Sequence, residues 1–177
     1  MFDFFRKKTG SKAEAATPPI APATAAAPNT QNINHQIQFQ PDLIDHLVAD
    51  HRRLLEVYGE IKQAFDAADY KLVSQGLDEL RRGLQGHLLT ENVRMYIYLD
   101  RHLASNEFNS ELIRGFRREM DAIGKVAMNF LKKYEAIGVD NELAGAFAKD
   151  FETIGAVLVK RIEKEERDLY PLYMPHY

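Results

Sequence analysis

The sequence predicts an all-α protein, an antiparallel up-down-up-down four-helix bundle of the kind built from long amphipathic helices, preceded by a disordered N-terminal tail. Two observations predict the bundle. Apolar residues recur with a period near 3.6 along four long stretches, and the breaks between them are short and polar, with no strand-like alternation. A third predicts the tail. The first part of the chain is rich in Ala, Pro and Thr, with too little bulky apolar surface to offset chain entropy.

The tail is expected over residues 1–40 and the bundle over residues 41–173. Residues 10–30, with Pro18, Pro19, Pro22 and Pro28, read as a flexible linker. Ahead of it, Phe2, Phe4 and Phe5 followed by Arg6, Lys7 and Lys8 make a short apolar, basic end. That composition suits weak docking on an anionic membrane or in a protein groove, and is too short for firm attachment alone. Pro41-Asp42 then signals a helix start, with proline in the first turn and a carboxylate at its positive end. The first helix follows over about residues 42–67, with the row Ile44, Leu47, Val48, His51, Leu54, Leu55, Tyr58, Ile61 and Phe65. A second is expected over about residues 70–103, with Leu77, Leu80, Leu84, His87, Glu91, Met95 and Tyr98 in line, ended by Ser105-Asn106. The third, over about residues 108–136, carries Ile113, Phe116, Met120, Ile123, Ala127, Phe130 and Leu131 and stops before Gly138. The fourth, over about residues 140–170, carries Phe147, Phe151, Ile154, Leu158, Arg161, Ile162, Glu165 and Leu169 and ends at Pro171.

Composition narrows the function. A formal charge of −3, with both signs mixed among 28% charged residues, offers no basic block for nucleic acid. The chain has no cysteine, which excludes disulfide scaffolds and thiolate metal sites. With no apolar run approaching the ~20 residues of a membrane span, and basic residues after instead of before the Phe cluster, the expected location is cytoplasmic.

Function is therefore sought in whatever interrupts the apolar interior. The first helix places His51 on its inner row, the second His87 and Glu91, and the fourth Arg161 and Glu165. The third has Met120 and Gly124 at the corresponding level. Isolated charges are very costly in a dry interior, so these groups need partners. Two imidazoles and two carboxylates converging between helices suit a divalent metal held by nitrogen and oxygen, such as iron, manganese or zinc. A metal-free hydrogen-bond and salt-bridge network is the alternative, and periodicity does not choose between them. His46 and His102 are expected at the surface, and His35 and His176 in the tails. Tyr96, Tyr98 and Tyr170 are expected to pack, with one phenol near a metal able to serve as donor or ligand.

Over about residues 41–173 the chain resembles the hemerythrin-like (HHE cation-binding) family. The matching pieces are Asp50-His51-Arg-Arg-Leu54, His87-Leu-Leu-Thr-Glu91-Asn92 and Arg161-Ile-Glu-Lys-Glu165-Glu166-Arg-Asp-Leu-Tyr-Pro171. The last resembles the family pattern His-Ile-x-x-Glu-Glu-x-x-Leu-Phe-Pro with arginine for histidine. Glu119-Met120-Asp-Ala-Ile123 resembles Glu-His-x-x-Ile with methionine for histidine. The resemblance implies a pair of irons bridged by two carboxylates, here Glu91 and Glu165, with His51 and His87 serving one iron. It also implies that Met120, Gly124 and Arg161 remove every imidazole of the second. Arg161, whose guanidinium is always charged and matches carboxylates in a fork, is expected to take the electrostatic place of the lost metal. Met120 is expected to fill the core. The expected function is a partial site of His51, His87, Glu91 and Glu165 for one divalent ion, iron favoured, with zinc or manganese accepted. Such a site would act as a sensor or binding module for a small ligand such as oxygen or nitric oxide. A metal-free scaffold or regulatory protein is the second expectation, and an enzyme the last.

Overall fold

The computed structural model describes residues 38–103 and 106–174, so the expectations for the tail up to residue 37, for His35, Ser105 and for His176 lie outside the described residues. Four helical rods make an all-α bundle, with no strand among the described residues. The first rod is α1 (Leu43–Asp66). The second is α2 (Tyr70–Thr90), a π-helical stretch over Glu91–Tyr96, and α3 (Ile97–His102). The third is α4 (Glu107–Lys133). The fourth is a 3₁₀ turn over Asn141–Leu143, then α5 (Ala144–Lys164), a π stretch over Glu165–Leu169 and a closing 3₁₀ turn over Tyr170–Tyr173.

Local chemistry sets the boundaries. Asp69 caps α2 by accepting from the Leu72 amide at 3.0 Å, and Asn106 caps α4 by accepting from Asn109 at 3.1 Å. The α1 end closes with Asp69 N–H donating to Ala64 and Ala68 N–H to Phe65, and this turn puts Ala68 at a positive φ of 55°. The first and second rods meet most extensively, and α2, α4, α5 and α1 close a ring of neighbours. Gly76 permits the close approach of the first two, since a Cβ there would stand 2.5 Å from Ile61 Cγ1.

The expected inner rows are largely buried, but Leu55 is 40% exposed and Leu43 and Val57 take core positions on α1 instead. The second and fourth helices differ from the uninterrupted α-helices expected over residues 70–103 and 140–170. Each contains a π stretch, and each stretch begins at a carboxylate of the inner row, Glu91 or Glu165.

The core is in two parts. One apolar cluster gathers Leu54, Val57, Ile61, Leu77, Leu84, Phe130, Phe147 and Phe151, and the other Leu47, Met95, Leu99, Ile113, Phe116 and Leu169. Along each rod the chemistry-bearing residues fall between them: His51 between Leu47 and Leu54, His87 and Glu91 between Leu84 and Met95, Met120 between Phe116 and Ala127, Arg161 and Glu165 between Ile154 and Leu169. A polar layer thus crosses an otherwise apolar bundle.

Candidate metal centre

All five polar residues read from the inner rows are buried: His51, His87, Glu91, Arg161 and Glu165. His51 and His87 point their Nε2 atoms at each other across 3.2 Å, and Glu165 Oε2 lies 3.2 Å from His51 Nε2. Ligand atoms of these three residues all fall within 4.8 Å of one another. Glu91 is not one of that mutually close trio. Its Oε1 stands 3.8 Å from His87 Nε2 and accepts from the Tyr170 hydroxyl at 3.2 Å.

Each imidazole has a carboxylate behind it. Glu166 Oε1 lies 2.9 Å from His51 Nδ1, which orients the ring with Nε2 facing inward. Asp50 Oδ2 lies 3.6 Å from His87 Nδ1, too long for a hydrogen bond, and His87 Nδ1 is left without a partner. Both outer carboxylates sit next to predicted site residues within the family-like segments, and nothing in the inner-row periodicity singled them out.

The surroundings of Arg161 are saturated. Its Nε donates to Glu165 at 2.5 Å, Nη1 to Glu119 at 3.2 Å and Nη2 to the Tyr96 hydroxyl at 3.3 Å. Its guanidinium carbon stands 5.0 Å from the Phe116 ring centre. Lys164 joins it on Glu119, and Met120, 6% exposed, fills the third-helix side of the same layer.

These placements polarise the ionisable groups. Burial works to lower the His51 pKa, but hydrogen bonds and charge from Glu165 and Glu166 outweigh it and hold the ring above its ordinary value. Burial, reinforced by positive charge on His51, His46 and Arg161, pushes His87 down to about 3. Glu91 is pushed up to about 8 by burial and the charge of Glu165, against Arg161 and the Tyr170 hydrogen bond. Burial also raises the Tyr170 and Tyr96 hydroxyls well above the usual range. Burial thus favours the uncharged forms of both His87 and Glu91, and a cation nearby would keep His87 neutral while favouring the ionised form of Glu91.

The donor set fits a metal on two observations. Metal–ligand bonds of about 2.1 Å set neighbouring ligand atoms about 3.0–3.4 Å apart, and the His51–His87 and His51–Glu165 separations are both 3.2 Å. Moreover, Glu91 Oε2 is buried with no hydrogen-bond partner, an expense that a nearby cation would relieve.

The hemerythrin HHE cation binding domain matches residues 42–173. The chain belongs to the hemerythrin HHE family. No curated protein and no solved structure matches it. Hemerythrin membership points to cation binding inside the bundle, and His51, His87 and Glu165 are a buried group that could hold the ion. No helix among the described residues is long and apolar enough to cross a membrane. His46 is surface-exposed as expected, and His102, also exposed, stacks on Tyr98.

A small cavity of about 30 Å³ adjoins the layer. It is lined by Leu54, Tyr58, Leu80, Leu84 and Leu158, and at its polar end by His51, His87, Glu165 and Arg161. Gly155 leaves room for the Tyr58 side chain there, since a Cβ would stand 2.2 Å from its hydroxyl oxygen.

Proposed function

We propose that this hemerythrin-family protein holds one divalent metal ion, iron in preference to zinc or manganese, and works as a sensor or binding module for a small ligand. His51, His87 and Glu165 supply the core of the site, with Glu91 as a further carboxylate beside it. The convergence of two Nε2 atoms and one carboxylate oxygen at 3.2 Å spacing carries this reading. When bound, the metal supplies redox chemistry or an open position for a ligand. Glu166 orients His51, and Arg161 balances the charge of Glu165 on the side where family members place a second set of histidines.

The apolar lining of the adjoining cavity supports oxygen or nitric oxide as the ligand class, because a water-sized apolar space favours a small uncharged molecule. The match over residues 42–173 supports treating residues 41–173 as the working domain and residues 1–40 as a separate tail. Cytoplasmic location and tail docking through Phe2, Phe4, Phe5, Arg6, Lys7 and Lys8 complete the reading. Deleting residues 1–8 should lower recovery with membranes or partners if the tail docks, and unchanged recovery would refute that part.

Metal analysis of purified protein beside His51→Ala and Glu165→Gln tests the centre. One equivalent of metal, lost in both variants, is expected. No metal after growth with iron and zinc would end the reading, and two equivalents would overturn the role of Arg161. The double variant Met120→His, Arg161→His should raise the content toward two ions if the missing imidazoles are what prevents a second.

A metal-free scaffold is the second reading. It is favoured by the Arg161 guanidinium, which already meets Glu165, Glu119 and Tyr96 in a closed network.

A further inference from the structure

Among the described residues, Tyr170 is the one tyrosine whose hydroxyl lies within hydrogen-bond distance of His51. Its oxygen lies 3.2 Å from His51 Nε2, the same atom that stands 3.2 Å from His87 Nε2 and 3.2 Å from Glu165 Oε2. Three polar atoms thus surround one imidazole nitrogen at equal spacing, and one nitrogen cannot satisfy all three by hydrogen bonding. The spacing matches that of ligand atoms around a shared metal with bonds of about 2.1 Å.

The backbone explains why the phenol is there. Tyr170 N–H donates to the Glu165 carbonyl, an i→i+5 bond of the π stretch, so the residue five after Glu165 is brought round toward the side its carboxylate occupies. Its ring lies nearly parallel to the His51 ring, 10° between planes at 5.6 Å, and is 3% exposed. The hydroxyl hydrogen already has an acceptor, Glu91 Oε1 at 3.2 Å, whose other oxygen is unpartnered.

We propose that the Tyr170 phenol oxygen is a fourth protein ligand of the metal, held in place by its hydrogen bond to Glu91. The inference rests on the metal reading above. As the oxygen–metal bond forms, the phenol O–H bond breaks and its proton is released to solvent. Tyr96 has no such role, since its hydroxyl is held by Arg161 on the other side of the layer.

The test loads full-length protein with ferrous iron without oxygen, measures iron per chain, then oxidises the bound iron with ferricyanide and records visible absorption and resonance Raman spectra on the same samples. Wild type is expected to show a phenolate-to-iron charge-transfer band whose Raman excitation reveals tyrosinate ring modes. Tyr170→Phe should lose the band and bind iron about tenfold more weakly, within the range for losing a group that supports a metal site. Tyr96→Phe should keep it. One equivalent of iron with no band in wild type would overturn the Tyr170 assignment while leaving the metal reading intact. A band that persists in Tyr170→Phe would overturn it as well. Absence of iron from wild type would overturn both. Because the wild-type spectrum decides the matter, the conclusion does not depend on how well the variant folds.

Discussion

Replacing Arg161 with methionine should destabilise the metal-free protein severely. The guanidinium is 3% exposed and its partner Glu165 is 1% exposed, so the substitution leaves a carboxylate buried near Glu91 without its main counter-charge. Breaking one side of a buried pair costs about 3–5 kcal/mol, a large share of a total stability of about 5–15 kcal/mol. For a bundle of this size that corresponds to a fall in Tm of roughly 10–20 °C. Urea and thermal melts of Arg161→Met, Glu165→Leu and the double variant measure the effect directly. The double variant should recover most of the loss, because an apolar pair replaces an ionic one, giving a coupling of at least about 2 kcal/mol. Metal added to Arg161→Met should shrink the deficit, since a cation at the histidines would supply counter-charge to Glu165. A single-variant cost below about 1 kcal/mol, or costs that simply add, would refute the argument that Arg161 neutralises this carboxylate.

Ala68→Gly should stabilise the protein by about 1 kcal/mol in a denaturant melt, because a left-handed φ of 55° strains any residue with a Cβ. Gly155→Ala should cost about 1–3 kcal/mol by driving into Tyr58 and disturbing its 3.1 Å hydrogen bond to the Phe151 carbonyl. Pairing that change with a smaller residue at Tyr58 should return part of the loss. Lys164 and Arg161 hold the Glu119 pKa below its ordinary value, so its share of stability is present above the unfolded carboxylate range and disappears as pH falls through the folded pKa. Glu119→Gln should therefore flatten the acid limb of the stability curve, by less than about 1 kcal/mol because this side chain is 43% exposed.

Much of the molecule was legible in the sequence because helix periodicity reports a helix's buried side directly. His51 is three residues before Leu54, and His87 is three after Leu84 and four before Glu91, so a 3.6-residue repeat was enough to line these groups with the core. The same repeat found Arg161 one turn before Glu165, and the two side chains meet at 2.5 Å. Resemblance added what periodicity lacked, namely which of these residues belong to one metal set.

Tyr170 shows where that reasoning stopped. Counted along an α-helix, a residue five places after Glu165 points well away from it, and only the π turn brings the Tyr170 hydroxyl within 3.2 Å of His51. Nothing in a residue pattern signals that the helix widens at Glu165 and again at Glu91. Likewise, Glu166 and Asp50 are ordinary carboxylates until the first rod packs against the fourth and the second, after which Glu166 stands behind His51 and Asp50 behind His87. The amino-acid sequence alone determined the four helices and their inner rows, because these depend on local repeat, and the loss of one set of histidines was implied by its family resemblance. Tertiary structure decided which atoms face one another. Separations across the bundle are set by how rods from distant parts of the chain pack, and no repeat within one helix encodes them.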